Sequence, residues 1–476
     1  MNFIYKTKPW RHQEEALKYL YTRDSAALYT DMGTGKTKIM IDLIQNREFH
    51  ITLIVGTTKS CPVWEEQIKI HGFKDKITSV NLNGVPTKNK IQTLKNAIDS
   101  SKNDKIPCLV VIVNYEGIWR KPFSDFISSN KIKLDCIICD ESHRIKSPSS
   151  NCSSFLRKTG RRVQHRYLVT GTPLAETPVD IYAQYVFLDP SIFGTNLQNF
   201  KVVYENPDPF MSAKIGRVIL DRKNPYKNLD DLREKMFSCA FYSESSLKLP
   251  KQRNLTYRFK LNQKCSNLYR EMEKEGVVIV NDKAVVSESV LTNILKLQQI
   301  TSGYVPIDLK HQENPTDVKT INISKDRIEA LETIIESLPK TEPLVIFAVY
   351  KKDLKNIRVL CNTLGIPYSE VSGSSDTLLD WKAGKTQVLG VQYSSGSESI
   401  DLTRSRYCVY YSMTRRLSLY LQSKKRIHRP NQTRNVTYYH LIAETYDGGS
   451  TIDRTAYEAL KSKKDVIDYI MEKGEF

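Results

Sequence analysis

Apolar residues are distributed along this chain in two rhythms. Short, nearly continuous runs rich in β-branched side chains alternate with stretches in which apolar positions recur every three or four residues. The runs are AAL (26–28), ITLIVG (51–56), CLVVIVNYE (108–116), LDCIICDESH (134–143) and HRYLVTGTP (165–173). Each is short and gives way to polar loop residues, the pattern of parallel strands covered on both faces by crossover helices. Between them lie helical patterns. KPWRHQEEALKYL (8–20) carries Ala16, Leu17 and Leu20 on one side, and Ile39, Met40, Leu43 and Ile44 share a face farther on. From residue 324 the alternation resumes, with SKDRIEALETIIESL as a helix. LVIFAV (344–349), YSEVSG (368–373), TQVLGVQ (386–392) and YCVYYS (407–412) follow as strands. The expected fold is α/β, with two lobes built on parallel sheets.

Residues 195–320 interrupt the alternation with charged, proline-punctuated stretches such as NPDPF and DRKNPYKNLDDLREKM. Within them LYREMEKEG is helical in pattern, and GVVIVNDKAVVSES (276–289) forms a hairpin through Asn281 and Asp282. SVLTNILKLQQITSG (289–303) is expected as a helix with Leu291, Ile294, Leu295 and Leu297 inward. The expected organisation is lobe one at 1–194, a mixed helical and hairpin insertion at 195–320, lobe two at 321–450, and a C-terminal segment at 451–476. A hairpin alone carries no function.

Parallel α/β sheets bind ligands at the carboxyl ends of their strands, and the residues with chemistry fall there. YTDMGTGKT (29–37) follows an apolar run and opens a helical pattern, the setting of a phosphate-binding loop. Gly33 and Gly35 let the backbone curl, Thr34 between them, so that N–H groups face phosphate oxygens at a helix N-terminus. Lys36 would reach the β- and γ-phosphates, and the Thr37 hydroxyl would ligate Mg²⁺. The strict pattern has glycine where this chain has Thr30, with Gly33 relieving the turn from inside. Asp140 and Glu141 end an apolar strand side by side. Asp140 is expected to hold Mg²⁺ and Glu141 to accept a proton from the water attacking the γ-phosphate. Gln13 offers the donor and acceptor that read N6 and N7 of adenine. Each feature alone has a bland reading: a glycine turn, a helix cap, a surface amide. Together they predict ATP and Mg²⁺ as cofactors.

Composition sharpens the picture. With 71 basic and 53 acidic residues the net charge is +18, and a chain this basic calls for a polyanionic partner, nucleic acid by default. Nine cysteines show no disulfide framework. Cys136 and Cys139 have zinc-like spacing, but residues three apart on a strand point to opposite faces and cannot share a metal. Reduced thiols are expected. The first residues, MNFIYKTKPW, lack the apolar core of a signal peptide. The expected location is the cytoplasm of a bacterium or a phage-infected host.

DESHRIK (140–146) is similar to the DEAHRIK signature of the Swi/Snf-type ATPases of helicase superfamily two. VTGTP (169–173) resembles their third motif, NYE (114–116) a nucleic-acid contact, TTKSCPVW (57–64) a loop ending in tryptophan, and IYAQYVFLDPSIFG (181–194) the close of their first lobe. Their sixth motif, Q-x-x-x-R-x-H-R-x-x-Q, is met at Gln422, Arg426, His428, Arg429 and Gln432. YSSGSESIDLT (393–403) departs from their fifth motif, with one glycine and the added carboxylates Glu398 and Asp401. TID (451–453) resembles the start of their closing brace helix.

The resemblance implies two RecA-like lobes with ATP between them, and Arg426 and Arg429 as arginine fingers on one helix face. It also implies sequence-independent DNA contacts from Thr57, Thr58, Lys59, Asn114 and Tyr115 in lobe one. Lobe two would add Ser372, Gly373, Ser394 and Ser395. The implied activity is a compact DNA translocase or helicase remodelling duplex, forked or branched DNA in replication, recombination or repair. An RNA helicase, a restriction-system motor and a non-enzymatic nucleotide switch are the competing readings.

Overall fold

A computed structural model describes residues 2–31, 33–129, 131–221, 223–243, 249–280, 283–287, 289–306, 320–396 and 400–471. Met32 of the phosphate loop, Asn281 and Asp282 of the expected hairpin turn, and Glu398 lie outside the described residues. The chain divides into two compact units, residues 1–247 with 465–476, and residues 248–464.

The first unit is organised by a seven-stranded sheet in which every neighbouring pair is parallel. Its strands are β1 (Ser25–Thr30), β2 (Ile51–Gly56), β3 (Ile77–Asn81), β4 (Cys108–Asn114), β5 (Cys136–Asp140), β6 (His165–Val169) and β7 (Ala240–Ser243), in the order β3-β4-β2-β5-β6-β1-β7. Helices α1 (Arg11–Tyr21), α2 (Lys36–Arg47) and α3 (Ser60–His71) supply the buried Ala16, Leu17, Leu20, Ile39, Met40, Leu43, Ile44 and Trp64 to one core cluster with the strands. Cys136 and Cys139 are both buried in β5, and burial pushes both thiols well up.

The second unit is built on another seven-stranded sheet, parallel except at one edge. Its strands are β8 (Gln252–Lys260), β13 (Leu344–Ala348), β14 (Tyr368–Ser372), β15 (Ser375–Asp376), β16 (Val388–Gln392), β17 (Tyr407–Tyr410) and β18 (Val436–Glu444). The order is β15-β14-β16-β13-β17-β18-β8, with β15 antiparallel. The remaining strands form two small antiparallel pairs, β9 (Val277–Val280) with β10 (Lys283–Val286), and β11 (Tyr304–Pro306) with β12 (Thr320–Asn322).

The segment expected as an insertion is thus shared out. Ala240–Ser243 pairs with β1 as the outermost strand of the first sheet, and Gln252–Lys260 pairs with β18 over nine positions as the outermost strand of the second. Each sheet thus takes its outermost strand from this region, the four-residue β7 in the first and the nine-residue β8 in the second. The helix at Val290–Thr301 also differs from expectation. Its buried positions are Lys296, Leu297, Gln298, Ile300 and Thr301, whereas Leu291 and Leu295 are exposed.

Candidate functional site

The phosphate loop leaves β1 at Thr30 and enters α2 at Lys36. Gly33 and Gly35 sit at φ 80° and 81°, the left-handed region that a side chain resists. At Gly35 space is short as well: a Cβ there would lie 2.2 Å from the Gln13 amide nitrogen. Thr34 braces the loop by donating from its hydroxyl to Thr30 Oγ1 (2.9 Å) and to the Asp31 carbonyl (2.7 Å). The hydroxyl of Thr30, at the position where the strict motif has glycine, therefore has a role in the turn. Lys36 Nζ donates to the carbonyls of Thr30 and Asp31 at 2.9 and 2.8 Å, holding its charge at the mouth of the loop.

Gln13 is buried against this loop. Its Oε1 accepts from Trp10 N–H (2.9 Å) and its Nε2 donates to the Thr34 carbonyl (3.0 Å), beside His12, whose ring nitrogen lies 2.9 Å from the same oxygen. The amide retains a second N–H and a second lone pair for a base.

Asp140 and Glu141 leave the carboxyl end of β5. Asp140 Oδ2 accepts from the Trp64 indole N–H (2.9 Å), and its backbone carbonyl accepts from the Tyr115 hydroxyl (2.6 Å). Burial first, then the adjoining Glu141 carboxylate, pushes the Asp140 pKa up, with Trp64 and Lys36 pulling it back. Glu141 holds a left-handed backbone, φ 51°, at the cap of a short 3₁₀ turn. Its Oε2 accepts from the Thr170 hydroxyl (3.2 Å) and lies 3.4 Å from His143 Nδ1. Thr170 Oγ1 in turn accepts from Thr172 N–H (3.1 Å). Burial lowers the His143 pKa, favouring the neutral ring at neutral pH.

Thr170, Trp64 and His143 are thus functional neighbours that residue-by-residue sequence reasoning did not single out. Their signal lay in the flanking motifs VTGTP, TTKSCPVW and DESH. All the oxygens on offer at the site are hard donors. The Thr37 hydroxyl and the Asp140 carboxylate suit Mg²⁺, which commonly takes one or two carboxylates and completes its shell with phosphate and water. Among the described residues no His/Cys/Asp/Glu cluster would hold a metal by itself.

The expected nucleic-acid contacts divide. Thr58 and Lys59 are exposed, and Asn114 Nδ2 donates to Thr58 Oγ1 (3.4 Å), so these three share a rim at the ends of β2 and β4. Thr57 is buried, exchanging hydrogen bonds with Ser60. Tyr115 is 3% exposed with its hydroxyl spent on Asp140, so it props the acidic pair from beneath instead of facing solvent. In the second unit, Ser372 ends β14 and Gly373 follows it, while Ser394 and Ser395 follow the adjacent β16, all at the carboxyl edge of that sheet. Ser372 Oγ donates to Glu370 Oε1 (2.7 Å).

Arg426 and Arg429 do not share a helix face. The helix Leu417–Ile427 ends before Arg429, because His428 leaves helical geometry and its Nε2 engages the Pro250 carbonyl at 2.6 Å. Arg426 is 8% exposed within the helix, while Arg429 Nη1 lies 3.8 Å from Asp401 Oδ2 beyond it. Burial would raise the Asp401 pKa, but the Thr403 N–H and hydroxyl, then Arg429, hold it below the usual carboxylate range. The added carboxylate of the fifth segment is therefore a partner of the second arginine. Gln432 donates to the carbonyls of Thr403 and Ser405 (3.1 and 2.9 Å), tying the arginine turn to the loop before β17.

A phosphate loop and an acidic pair at the carboxyl edge of a parallel sheet define a nucleoside-triphosphate site of the RecA-like kind. The family models agree: residues 12–303 match the SNF2-related domain and residues 326–431 the helicase conserved C-terminal domain. The chain belongs to the SNF2 family of helicase-type, ATP-hydrolysing enzymes. It is 22% identical to the DNA repair and recombination protein RAD54B of Homo sapiens, over 98% of this chain and 55% of that protein. An uncharacterized ATP-dependent helicase of Mycoplasma pneumoniae is 21% identical over 96% of this chain and 41% of its own length. Protein CHROMATIN REMODELING 19 of Arabidopsis thaliana is 21% identical over 95% and 66%. The chain therefore spans about half the length of the curated relatives it matches. Among solved structures, the Sulfolobus solfataricus SWI2/SNF2 ATPase core in complex with dsDNA aligns over 93% of this chain and 90% of that one. The TM-score is 0.42 and the identity 17%. No helix among the described residues is long and apolar enough to cross a membrane.

Proposed function

We propose that this protein is an ATP-driven, sequence-independent DNA translocase that remodels duplex, forked or branched DNA in recombination, repair or replication. The observation that carries the reading is the paired support of Glu141. Thr170 donates to its Oε2 while the neighbouring Asp140 is fixed by Trp64, so one carboxylate is aimed and the other anchored. In this reading Lys36 and the backbone of Gly33, Thr34 and Gly35 hold the triphosphate. Thr37 and Asp140 hold Mg²⁺, which supplies charge neutralisation on the phosphates. Glu141 takes the proton of the attacking water, and Gln13 meets the base. Arg426 and Arg429 act as the arginine fingers. Thr58, Lys59, Asn114, Ser372, Gly373, Ser394 and Ser395 are the assigned phosphate contacts, with Thr57 and Tyr115 supporting them from below the surface.

Phosphate release measured with and without duplex DNA tests the reading. DNA should stimulate turnover, and Lys36→Ala should abolish it. Glu141→Gln should slow it about 10²–10⁴-fold, and Arg426→Ala about 10³-fold or more. Stimulation compared across duplex, fork, four-way junction and RNA, with triplex displacement as the tracking assay, identifies the substrate. Hydrolysis indifferent to DNA, or surviving Lys36→Ala, overturns the proposal, and stimulation by RNA alone makes the protein an RNA helicase.

A further inference from the structure

The first unit holds a cavity of about 480 Å³ at the amino-terminal ends of β5 and β6, the opposite edge of the sheet from Asp140 and Glu141. Its floor is apolar: Ile127, Ile132, Leu134 and Val163 are all at most 8% exposed. Its rim carries Lys133, Lys158 and Arg162, all exposed. Among the described residues no carboxylate lines it. Arg162 is held in place by donating to the Ser128 carbonyl (2.9 Å). Thr159, also lining the cavity, has a buried hydroxyl without a hydrogen-bond partner among the described residues. A buried hydroxyl left unmatched is costly, and a polar ligand atom would satisfy it.

The chemistry selects among occupants. A nucleic acid would meet the cations, but sites for unpaired bases stack them on aromatic rings, and among the described residues no aromatic side chain lines this cavity. A small anion would use one cation and leave the apolar floor uncovered. A peptide segment with one large apolar side chain between carboxylates uses both. The volume lies within the range of pockets that enclose a bulky group, and an apolar anchor inside a charged rim is how peptide hot spots are built.

We infer that this cavity docks an acidic segment of a partner protein through one large apolar anchor residue, with Lys133, Lys158 and Arg162 pairing its flanking carboxylates. The inference is independent of the motor reading, because the cavity shares no residue with the nucleotide site. The test uses the full-length protein and a short fluorescein-labelled peptide with a central tryptophan between runs of glutamate, followed by fluorescence polarisation.

Saturable binding is expected, weakened at least about tenfold, or 1.4 kcal/mol, in the Lys158→Glu/Arg162→Glu double variant. A peptide with serine in place of tryptophan should lose binding to a similar extent. ATP hydrolysis by the double variant should match that of the unaltered protein, which reports its folding. No saturable binding, an affinity unchanged in the double variant, or an affinity unchanged by removing the tryptophan overturns the inference. Displacement of the peptide by single-stranded DNA whose own binding falls in the double variant also overturns it. That result would make the cavity a nucleic-acid contact.

Discussion

Asp353 shows how a single buried carboxyl sets a pH dependence. It lies in the first turn of the helix Lys351–Thr363, fully enclosed, with Oδ2 accepting from the Ser412 hydroxyl at 2.6 Å. Burial pushes its pKa up to about 6, although Ser412, Arg327 and Tyr304 pull it down. A carboxyl with a folded pKa above its unfolded one binds its proton more tightly when folded. It therefore favours the fold as pH falls from about 6 towards about 4, and that contribution is lost as pH rises through the same window. Asp353→Asn should remove it: the melting temperature of the variant minus that of the native chain should grow more positive as pH is raised through about 6. A difference that stays flat across that range would show Asp353 to be without this effect. Thr170 is the second residue with a sharp expectation. Thr170→Val keeps the shape but removes the donor to Glu141 Oε2, and should lower kcat about tenfold to a hundredfold with little change in KM. Steady-state phosphate release reads the split.

At the scale of elements, the helix Val290–Thr301 shows why periodicity alone was right only in part: Leu297 is buried as expected, but Leu291 and Leu295 are exposed. Two apolar stripes run along it, Leu291 with Leu295 and Leu297 with Ile300, and sequence spacing does not rank them. Packing does, through a polar residue: Gln298 is buried with its Nε2 donating to the Met413 carbonyl (3.0 Å) and its Oε1 accepting from the Tyr350 hydroxyl (3.2 Å). A satisfied buried amide turns its neighbours Leu297 and Ile300 inward. Urea denaturation should find Leu297→Ala destabilised by about 2–5 kcal/mol, and Leu291→Gln unchanged within about 0.5 kcal/mol. β8 was hidden for a related reason. Leu255, Tyr257 and Phe259 do alternate with Thr256, Arg258 and Lys260, but the rhythm is short and set among charged residues, and β18 gives it nine residues of parallel register. β1, β2, β4, β5 and β6 of the first sheet and β13, β14, β16 and β17 of the second, rich in apolar residues, were legible, whereas β18, interior to the second sheet, was not singled out. The phosphate loop and the acidic pair, whose residues are contiguous in sequence, were legible too. The aiming of Glu141 by Thr170 was not, since it arises where the ends of β5 and β6 lie side by side.

At the scale of the whole molecule, two features organise the energetics. One is the ion pair of Arg327 with Asp453 inside the second unit, both side chains at most 2% exposed. Arg327 also donates to the carbonyls of Thr301 and Tyr411, and Asp453 accepts from Ala443 N–H (3.1 Å). The pair thereby ties two helices to the ends of β17 and β18, and to the first turn of the helix Ile452–Met471. Asp453→Ala leaves a buried guanidinium unpaired and should cost about 3–5 kcal/mol by urea denaturation. The other feature is the charge of +18. If phosphate contacts carry DNA binding, log affinity for duplex should fall against log salt by about 0.9 per phosphate neutralised. Titrations at several salt concentrations give the slope, and a slope near zero contradicts a phosphate-based grip.

The left-handed backbone of Glu141 sets durability against work. A side chain held there costs about 1 kcal/mol that glycine would not, and its carboxylate also repels the buried one beside it. Glu141→Gly should relieve both and give a chain that withstands more heat yet hydrolyses ATP at least about 10²-fold more slowly. Melting curves run beside phosphate release would display the exchange, and they would locate in one peptide unit the place where this protein is tuned to act at the expense of lasting.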